Sequence, residues 1–362
     1  AAEVCEAIER GLIRSGIRAN IRKLPLADGG EGTLEIFLHH KNGRLVAVEV
    51  HDPLMRKIKA SYALSHDGKT AFIEMARASG LGLVSSEEQN PLRTTTFGTG
   101  ELMRDAFAKG ATHILLGIGG SSTNDAALGA LVALGANVTD DKGDLIFPVG
   151  EALGKIASIE LDNTGNLLEG KTITAICDVF NPFYGEQGAA RVYAPQKGAG
   201  SEAVEILDKG LRHVAALIGS KYAIDLQAIP GVGAGGGFAG GVYAFLGARL
   251  KRGVEVVFDM TGFKDAAAWS DVIITGEGKL DAQTLNGKVV QGVVDEANRL
   301  KKPVWVVCGQ NLLGHPERAR LSVTNVLSLT DWADLASALA NPAAVLEDLT
   351  FKSIATALKS SI

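Results

Sequence analysis

The stretch "LLGIGGSSTNDAALGALVALGA", residues 115–136, decides the fold class. A short apolar run leads through a glycine-rich turn into apolar residues with helical spacing. A strand, a glycine turn and a helix in this order are typical of α/β proteins with a parallel sheet, and they often bring the backbone close to a phosphate group. The stretch matches neither G-x-G-x-x-G nor G-x-x-x-x-G-K-[ST], so alone it leaves the phosphate and the chemistry open.

Length and composition indicate a globular protein that binds small molecules. The chain has 362 residues, enough for two domains and a cleft between them, and 46% of its residues are hydrophobic. A formal net charge of -5 argues against a broad surface for nucleic acid or anionic membranes, although a small anion needs only local positive groups. The cysteines Cys5, Cys177 and Cys308 form neither a disulfide framework nor a metal knuckle, which favours reduced thiols in a cytoplasmic protein.

Apolar runs alternate with helical patterns along the chain, which is typical of βαβ units and a parallel sheet. The predicted strands are "ANIRKLPL" (19–26), "HILLGI" (113–118), "DVIITG" (271–276), "PVWVVCG" (303–309) and "TNVLSL" (324–329). The three central runs are almost continuously apolar, as expected for strands that helices cover on both faces. Residues 44–76 differ, because their alternation and the turn signal "HDG" predict antiparallel strands.

These patterns predict a division into two α/β domains. A Rossmann-like domain with a parallel sheet is expected to comprise residues 1–43, 91–136 and 265–362. A second α/β domain, residues 44–90 and 137–264, is expected to be inserted into it, with the active site in the interdomain cleft. Three glycine-rich loops, at 27–32, 117–124 and 275–287, follow predicted strands, and we expect them to share the carboxyl edge of one sheet, where α/β proteins bind ligands.

The first candidate site is "GIGGSSTND". Its glycines permit a tight turn, its hydroxyl and amide side chains supply hydrogen-bond donors, and a helix N-terminus predicted at Asp125 adds free N–H groups. The alternative is that the glycines serve close strand–helix packing and a polar residue caps the helix. The residues predicted to bind phosphate groups are Gly117, Gly119, Gly120, Ser121, Ser122, Thr123 and Asn124.

The second candidate is "ITGEGKLDAQT", which groups three charged side chains after a strand. Phosphoryl transfer needs cations on the migrating group and a carboxylate that orients or deprotonates the attacking hydroxyl. We assign Asp281 as the base, Lys279 as a catalytic cation and Glu277 as a metal ligand. The alternative is a solvated polar loop whose charges pair with one another.

Further polar residues are assigned to substrate binding: Asp28, Gly29, Gly30, Glu31, Asp178 and Lys197. Asp28 also suits a turn, Glu31 also suits a first helical turn, and a lone lysine such as Lys197 is usually solvated. The segment "PGVGAGGGFAGG" is either a flexible hinge or another helix start that receives an anion. The spacing of histidine, cysteine and carboxylate residues argues against a zinc enzyme, and no G-x-S-x-G nucleophile motif is present.

Several segments together resemble the bacterial type-I glycerate kinase family, in order and over essentially the whole chain. They are "PLADGGEGT", "IEMARASGLGLV", "QNPLRTTTFGTGEL", "GIGGSSTNDAALGALVALGA", "CDVFNPFYGEQGAARVYAPQKGA" and "ITGEGKLDAQTLNGKVVQGV". The resemblance implies phosphorylation of D-glycerate by ATP and Mg²⁺, usually to 2-phosphoglycerate, in the cytoplasm, on two α/β domains with the active site between them. Small molecules are the expected partners, without nucleic acid or membrane, and a homodimer is the assembly under consideration.

The chain departs from the family pattern in two places. Relatives commonly have alanine and two glycines where Ser122, Ala126 and Ala127 stand here. They also open with a strand and an Asp-Ser-Phe-Lys-type turn, whereas this sequence opens with helical spacing that a glycine at position 16 ends. The first strand is therefore expected to precede Ala1.

Three alternatives to this function remain. Transfer to the other hydroxyl of glycerate would give 3-phosphoglycerate. A nucleotide-dependent oxidoreductase would also use strand–loop–helix units, although the G-x-G-x-x-G spacing is missing. A two-domain binding protein would explain a cleft, but it would not need a glutamate, a lysine and an aspartate in one loop.

Overall fold

The computed structural model describes residues 1–27, 32–161, 167–282, 284–286 and 289–360. They form two compact units, unit 1 from Ala1–Ile36 and Val254–Ile362 and unit 2 from Phe37–Gly253. None of the helices in the described ranges combines the length and the apolar character that crossing a membrane requires.

Helices and strands alternate along the chain. The strands are β1 (Arg44–His51), β2 (Lys57–Leu64), β3 (Thr70–Glu74), β4 (His113–Gly117), β5 (Asn137–Thr139), β6 (Ser158–Glu160), β7 (Thr172–Ile176), β8 (Arg249–Lys251), β9 (Ile273–Leu280), β10 (Val304–Asn311) and β11 (Asn325–Ser328). The α-helices are α1 (Ala2–Arg14), α2 (Thr33–His40), α3 (Ala76–Ser79), α4 (Phe97–Ala108), α5 (Leu128–Ala133), α6 (Ala189–Tyr193), α7 (Ser201–Tyr222), α8 (Phe238–Leu246), α9 (Gly253–Thr261), α10 (Phe263–Trp269), α11 (Val289–Arg299), α12 (His315–Arg320), α13 (Leu329–Trp332), α14 (Leu335–Ala340), α15 (Pro342–Leu349) and α16 (Ala355–Ser360). A π-helical turn at Thr350–Ile354 separates the last two helices.

Unit 2 contains a six-stranded sheet in the order β1-β2-β3-β4-β7-β8. The first three strands pair antiparallel, as the alternation in residues 44–76 predicts, and β3, β4, β7 and β8 pair parallel. The central residues Ile114, Leu115 and Leu116 of β4 are buried, which explains the continuous apolar run. The carboxyl ends of the parallel strands meet at one edge, so the residues after β4 and β7 lie at that edge.

Unit 1 contains a parallel three-stranded sheet in the order β11-β10-β9. Its three predicted strands are confirmed. The run at 19–26 is not a strand: the described residues from 17 to 27 form neither helix nor strand. Leu24 and Leu26 pack against one hydrophobic core of unit 1 and Ile21 against another. Apolar contacts therefore explain these side chains without a hydrogen-bonded partner strand.

The mixed α/β class with a mostly parallel sheet is confirmed, but the structure divides the chain differently from the predicted division. Residues 91–136 fall in unit 2, because β4 pairs with β3 and β7 rather than with any strand of unit 1. Residues 44–253 are therefore continuous within one unit. The loops 117–124 and 275–287 follow strands of different sheets, so the prediction that they share one sheet edge is wrong.

Candidate active site

The glycine-rich loop begins where β4 ends, at Gly117. A Cβ atom placed on Gly117 would meet no atom closer than 3.8 Å, and one on Gly119 would meet none within 4 Å. Gly119 and Gly120 are exposed, and Gly120 has a left-handed backbone with φ of 69°. Packing therefore does not require glycine at positions 117 and 119. Their small size instead leaves the backbone open to a ligand.

The polar residues that follow are buried, and their hydroxyl groups are mostly committed within the protein. Ser122 Oγ donates to the carbonyl oxygen of Ser79 at 3.1 Å, and Thr94 Oγ1 donates to the carbonyl oxygen of Ser122 at 2.8 Å. The Ser122 hydroxyl therefore stabilises the loop internally and is not the donor to a phosphate that the sequence predicts. Thr94 was not assigned to the site, because its bond to residue 122 crosses 28 positions of the chain.

Lys197 is buried, in contrast to the solvated lysine that a turn usually carries. It ends a short 3-10 turn, and only 2% of its surface is exposed. Its Nζ atom donates to Ser121 Oγ at 2.8 Å and to the carbonyl oxygen of Thr123 at 2.6 Å. Burial lowers the pKa of Lys197 from 10.5 to about 7, opposed by the negative charge of Asp125. The lysine thus contacts the loop directly, as its assignment to the site requires.

Asp125 is fully buried and holds the end of the loop. Its Oδ2 atom accepts hydrogen bonds from the backbone N–H of Thr96 at 2.7 Å, from Thr96 Oγ1 at 2.8 Å and from the N–H of Gly129 at 3.2 Å. Burial raises the pKa of Asp125, and these hydrogen bonds oppose the shift. In the sequence, Asp125 is predicted only as a helix start, and Thr96 has no predicted role. The run of three threonines before "FGTGE" is the signal that was available.

Buried polar atoms without a partner concentrate at the same place. Of the six such side-chain atoms in the described part of the chain, four belong to three consecutive residues, namely Thr123 Oγ1, Asn124 Nδ2, Asn124 Oδ1 and Asp125 Oδ1. An unsatisfied buried polar atom costs about 1–3 kcal/mol, so a fold tolerates several together only where something else compensates. This concentration marks the end of the loop as a functional segment.

The helix after the loop starts later than predicted. Ala126 and Ala127 both have left-handed backbones, with φ of 55° and 65°, and α5 begins only at Leu128. The helix N-terminus predicted at Asp125 is therefore wrong, and α5 is only six residues long. The backbone of the loop, rather than a helix dipole, is the feature available to an anion.

The glycine-rich segment at 230–241 packs directly against the backbone of residues 123–126. A Cβ atom on Gly236 would lie 2.1 Å from the carbonyl oxygen of Thr123, and one on Gly241 would lie 1.9 Å from that of Ala126. Both approaches exclude any side chain. These glycines are packing residues, so neither the hinge nor the second anion site that the sequence left open is needed to explain them.

Asp178 lies directly beyond β7, at the same sheet edge as the loop. Its Oδ1 atom accepts a hydrogen bond from the N–H of Gly253 at 2.9 Å. At least one carboxylate oxygen therefore has a structural partner. Asp28, Gly29, Gly30 and Glu31 lie outside the described residues.

The charged cluster of unit 1 starts on a strand rather than in a loop. β9 continues past the predicted end at 276 to Leu280 and pairs Glu277 with Cys308 and Lys279 with Gln310. Since side chains alternate along a strand, Glu277 and Lys279 lie on the same face. A Cβ on Gly276 would lie 2.1 Å from the carbonyl oxygen of Val307, so this glycine serves strand pairing.

The turn after β9 brings Asp281 back toward this face. Lys279 Nζ lies 3.8 Å from Asp281 Oδ2, and their side chains are 53% and 33% exposed. The buried Thr284 donates a short hydrogen bond from Oγ1 to Glu277, and the same oxygen accepts the N–H of Asp281 at 3.2 Å. One hydroxyl group thus orients both carboxylate-bearing residues. Thr284 belongs to the second candidate segment, but the sequence alone predicts no role for it.

Known proteins resemble this chain in sequence and in fold. The model of the glycerate kinase family matches residues 1–359. A glycerate kinase of Bacillus cereus is 45% identical and a glycerate 2-kinase of Escherichia coli K12 is 42% identical, each over 85% of this chain and 81% of the relative. A crystal structure from Salmonella typhimurium LT2, assigned as a glycerate kinase 2, superposes with a TM-score of 0.87 at 42% identity. That match covers 99% of this chain and 94% of the other.

Proposed function

The chain belongs to the glycerate kinase family, and from this premise we propose that it transfers the γ-phosphoryl group of ATP to D-glycerate and forms 2-phosphoglycerate. The relative from Escherichia coli carries the name glycerate 2-kinase, which supports transfer to the 2-hydroxyl group. Transfer to the 3-hydroxyl group is the second candidate, because a small displacement of glycerate exchanges the two positions.

The observation that carries the proposal is the open backbone at Gly117 and Gly119. A Cβ atom would fit at both positions, so packing does not explain the glycines, whereas close approach of a phosphate does. The donors fit an anion: exposed backbone at Gly119 and Gly120, and the Ser121 hydroxyl, whose oxygen accepts a bond from Lys197. We assign the ATP phosphates to residues 117–124, with Ser122, Thr123 and Asn124 shaping the loop from within.

Unit 1 supplies the acid–base and metal chemistry in this proposal. The oxygen of the glycerate hydroxyl attacks the γ-phosphorus, the bond to the β–γ bridging oxygen breaks, and ADP leaves. Asp281, which is partly exposed, accepts the hydroxyl proton. Lys279 offsets the negative charge of the migrating group.

Mg²⁺ fits the oxygen ligands of this cluster. The ion is usually held by one or two carboxylates together with substrate phosphates. Glu277 would hold it, oriented by Thr284, and bound Mg²⁺ would neutralise charge on the phosphates. Among the described residues no group of three or more His, Cys, Asp or Glu side chains suits a metal, so the phosphates of ATP would complete the coordination.

Further assignments belong to the same proposal. Asp178 and residues 28–31 are assigned to glycerate, with Lys197 acting on the ligand through Ser121. We also place the enzyme in the cytoplasm, and we consider a homodimer as its assembly, whose molar mass light scattering of the purified protein would test.

Phosphorus NMR is the most informative experiment. The protein is incubated with ATP, Mg²⁺ and D-glycerate, and the phosphorylated product is compared with authentic 2- and 3-phosphoglycerate. Formation of 2-phosphoglycerate supports the proposal, and 3-phosphoglycerate identifies the second candidate. Absence of any phosphoglycerate, with glycerate binding by calorimetry, would instead favour a binding protein. Nicotinamide cofactor binding would favour the oxidoreductase.

A further inference from the structure

Hydrogen bonds of Asp125 connect the end of the loop to the start of α4 and to α5. The bonds from Thr96 place the carboxylate immediately before α4, and the bond from Gly129 places it against α5. A Cβ atom on Gly129 would lie 2.8 Å from Asp125 Oδ2 and 2.1 Å from Thr95 Oγ1. The chain therefore has glycine at the position where any side chain would push the carboxylate away.

Lys197 binds the loop at residues 121 and 123, just before Asp125. Its two hydrogen bonds go to Ser121 and Thr123, while Asp125 follows two residues later. The charge of Asp125 opposes the lowering of the Lys197 pKa by burial. The neighbouring segment touches Gly198 through Gln89 and carries Glu87 and Glu88, but both glutamates are exposed and neither acts on the lysine.

We propose that Asp125 is a positioning residue of the loop, which fastens residues 121–124 to the start of α4 and, when ionised, supplies a buried negative charge that acts on Lys197. The catalytic part of this proposal rests on the proposed function, whereas the electrostatic part concerns the protein alone. A buried ammonium is costly unless a compensating charge lies near it. Asp125 thus lets Lys197 carry the charge that steadies Ser121 when a phosphate binds.

The electrostatic part is tested without any activity assay. The protein is labelled with ¹³C at the ε-carbon of lysine, and the Lys197 resonance is identified by its absence in Lys197→Arg. We expect Lys197 to titrate near pH 7 in the wild type and about one pH unit lower or more in Asp125→Asn, a tenfold change in proton affinity. Asp208→Asn is the matched control, because Asp208 is a buried carboxylate of the same unit that does not act on Lys197. Equal midpoints in all three proteins would overturn the proposal.

The catalytic part is tested by the pH dependence of kcat/KM for ATP. We expect its decline on the alkaline side to move to lower pH in Asp125→Asn by the same amount as the NMR midpoint. A lower activity with an unmoved pH profile indicates a merely structural role and overturns the positioning assignment. If the wild type lacks glycerate kinase activity, the proposed function fails while the NMR titration still decides the electrostatic part.

A second pair of variants covers the case that Asp125→Asn does not fold. Thr96→Val removes one hydrogen-bond donor from the carboxylate, which favours the neutral acid, so the Lys197 midpoint should fall. Thr96→Ser keeps the hydroxyl group and should keep the wild-type midpoint. Identical midpoints in these two variants would count against Asp125.

Discussion

The molecule contains two polar clusters that differ in burial. The loop cluster, Ser121 to Asp125 with Lys197, is almost completely excluded from solvent, and hydrogen bonds fix it on several sides. The strand cluster, Glu277, Lys279 and Asp281, is partly exposed, and its ion pair between Lys279 and Asp281 is long, at 3.8 Å. Exposed ion pairs contribute little to stability, whereas buried charges shift in pKa. We therefore expect mutations in the strand cluster to affect catalysis alone and mutations in the loop cluster to affect stability as well.

The largest effect is expected at Asp281. Asp281→Asn removes the proposed base, so kcat should fall by about 10² to 10⁴-fold. Because the side chain is partly exposed, the free energy of unfolding should change by less than about 0.5 kcal/mol. Steady-state ADP release and urea unfolding measure the two quantities. Asp271→Asn, at the exposed residue before β9, is the control that should retain activity. A kcat within a few-fold of wild type for Asp281→Asn would remove the base assignment.

A smaller effect is expected at Thr284, which orients Glu277. Thr284→Val removes the hydroxyl group that contacts both Glu277 and the Asp281 N–H, and it should weaken the apparent affinity for Mg²⁺ about 10-fold. Thr284→Ser retains the hydroxyl group and should behave as wild type. The Mg²⁺ concentration at half-maximal rate is the measurement. If valine and serine give the same Mg²⁺ dependence, Thr284 does not act through a metal ligand.

Apolar runs in the sequence predict which segments are buried strands, but they do not predict which strands pair. The apolar runs at 113–118, 271–276, 303–309 and 324–329 all contain strands, and consecutive buried residues in β4 and β10 show why two of these runs are continuous. The same burial gives identical patterns in either sheet, so the sequence could not tell which sheet β4 joins. That ambiguity produced the wrong placement of residues 91–136. The strand predicted at 19–26 was wrong, because the apolar side chains of this run pack against the core without pairing to another strand.

The sequence marks the candidate site but does not specify how its residues pack. Glycines and polar residues after β4 mark the loop in any reading of the sequence. Whether packing requires a glycine, as at Gly236, or leaves its Cβ position open, as at Gly119, depends on neighbours that can lie more than a hundred residues away. The role of Asp125 was missed for the same reason, since its partner Thr96 precedes it by 29 positions. Burial of Lys197 likewise has no local signal.

The pH dependence of stability separates the two clusters further. The pKa of Lys197 is about 7 in the folded protein and 10.5 normally, so above pH 7 the unfolded chain binds more protons than the folded one. Wild-type stability should therefore gain about 1 kcal/mol per pH unit from Lys197 above pH 7. Lys197→Met should lack this gain. Urea unfolding between pH 7 and 8.5 tests it, with Lys279→Met as the exposed control that keeps the wild-type slope. Equal slopes for both variants would contradict the buried charge.

The smallest effect is expected at Ala126 and Ala127, the two residues between the loop and α5. Ala126 and Ala127 have φ of 55° and 65°, a region that costs a residue with a Cβ atom roughly 1–2 kcal/mol. Glycine avoids this cost in the folded protein, but its greater conformational freedom stabilises the unfolded chain and cancels part of the gain. Both methyl groups are buried, so the packing lost with them offsets the relief, and Ala126→Gly and Ala127→Gly should each change the free energy of unfolding by less than about 0.5 kcal/mol without loss of kcat. Ala130→Gly, inside α5, should lower stability by about 1 kcal/mol in the same urea experiment. Destabilisation by all three substitutions would mean that the left-handed conformation is not what limits this turn.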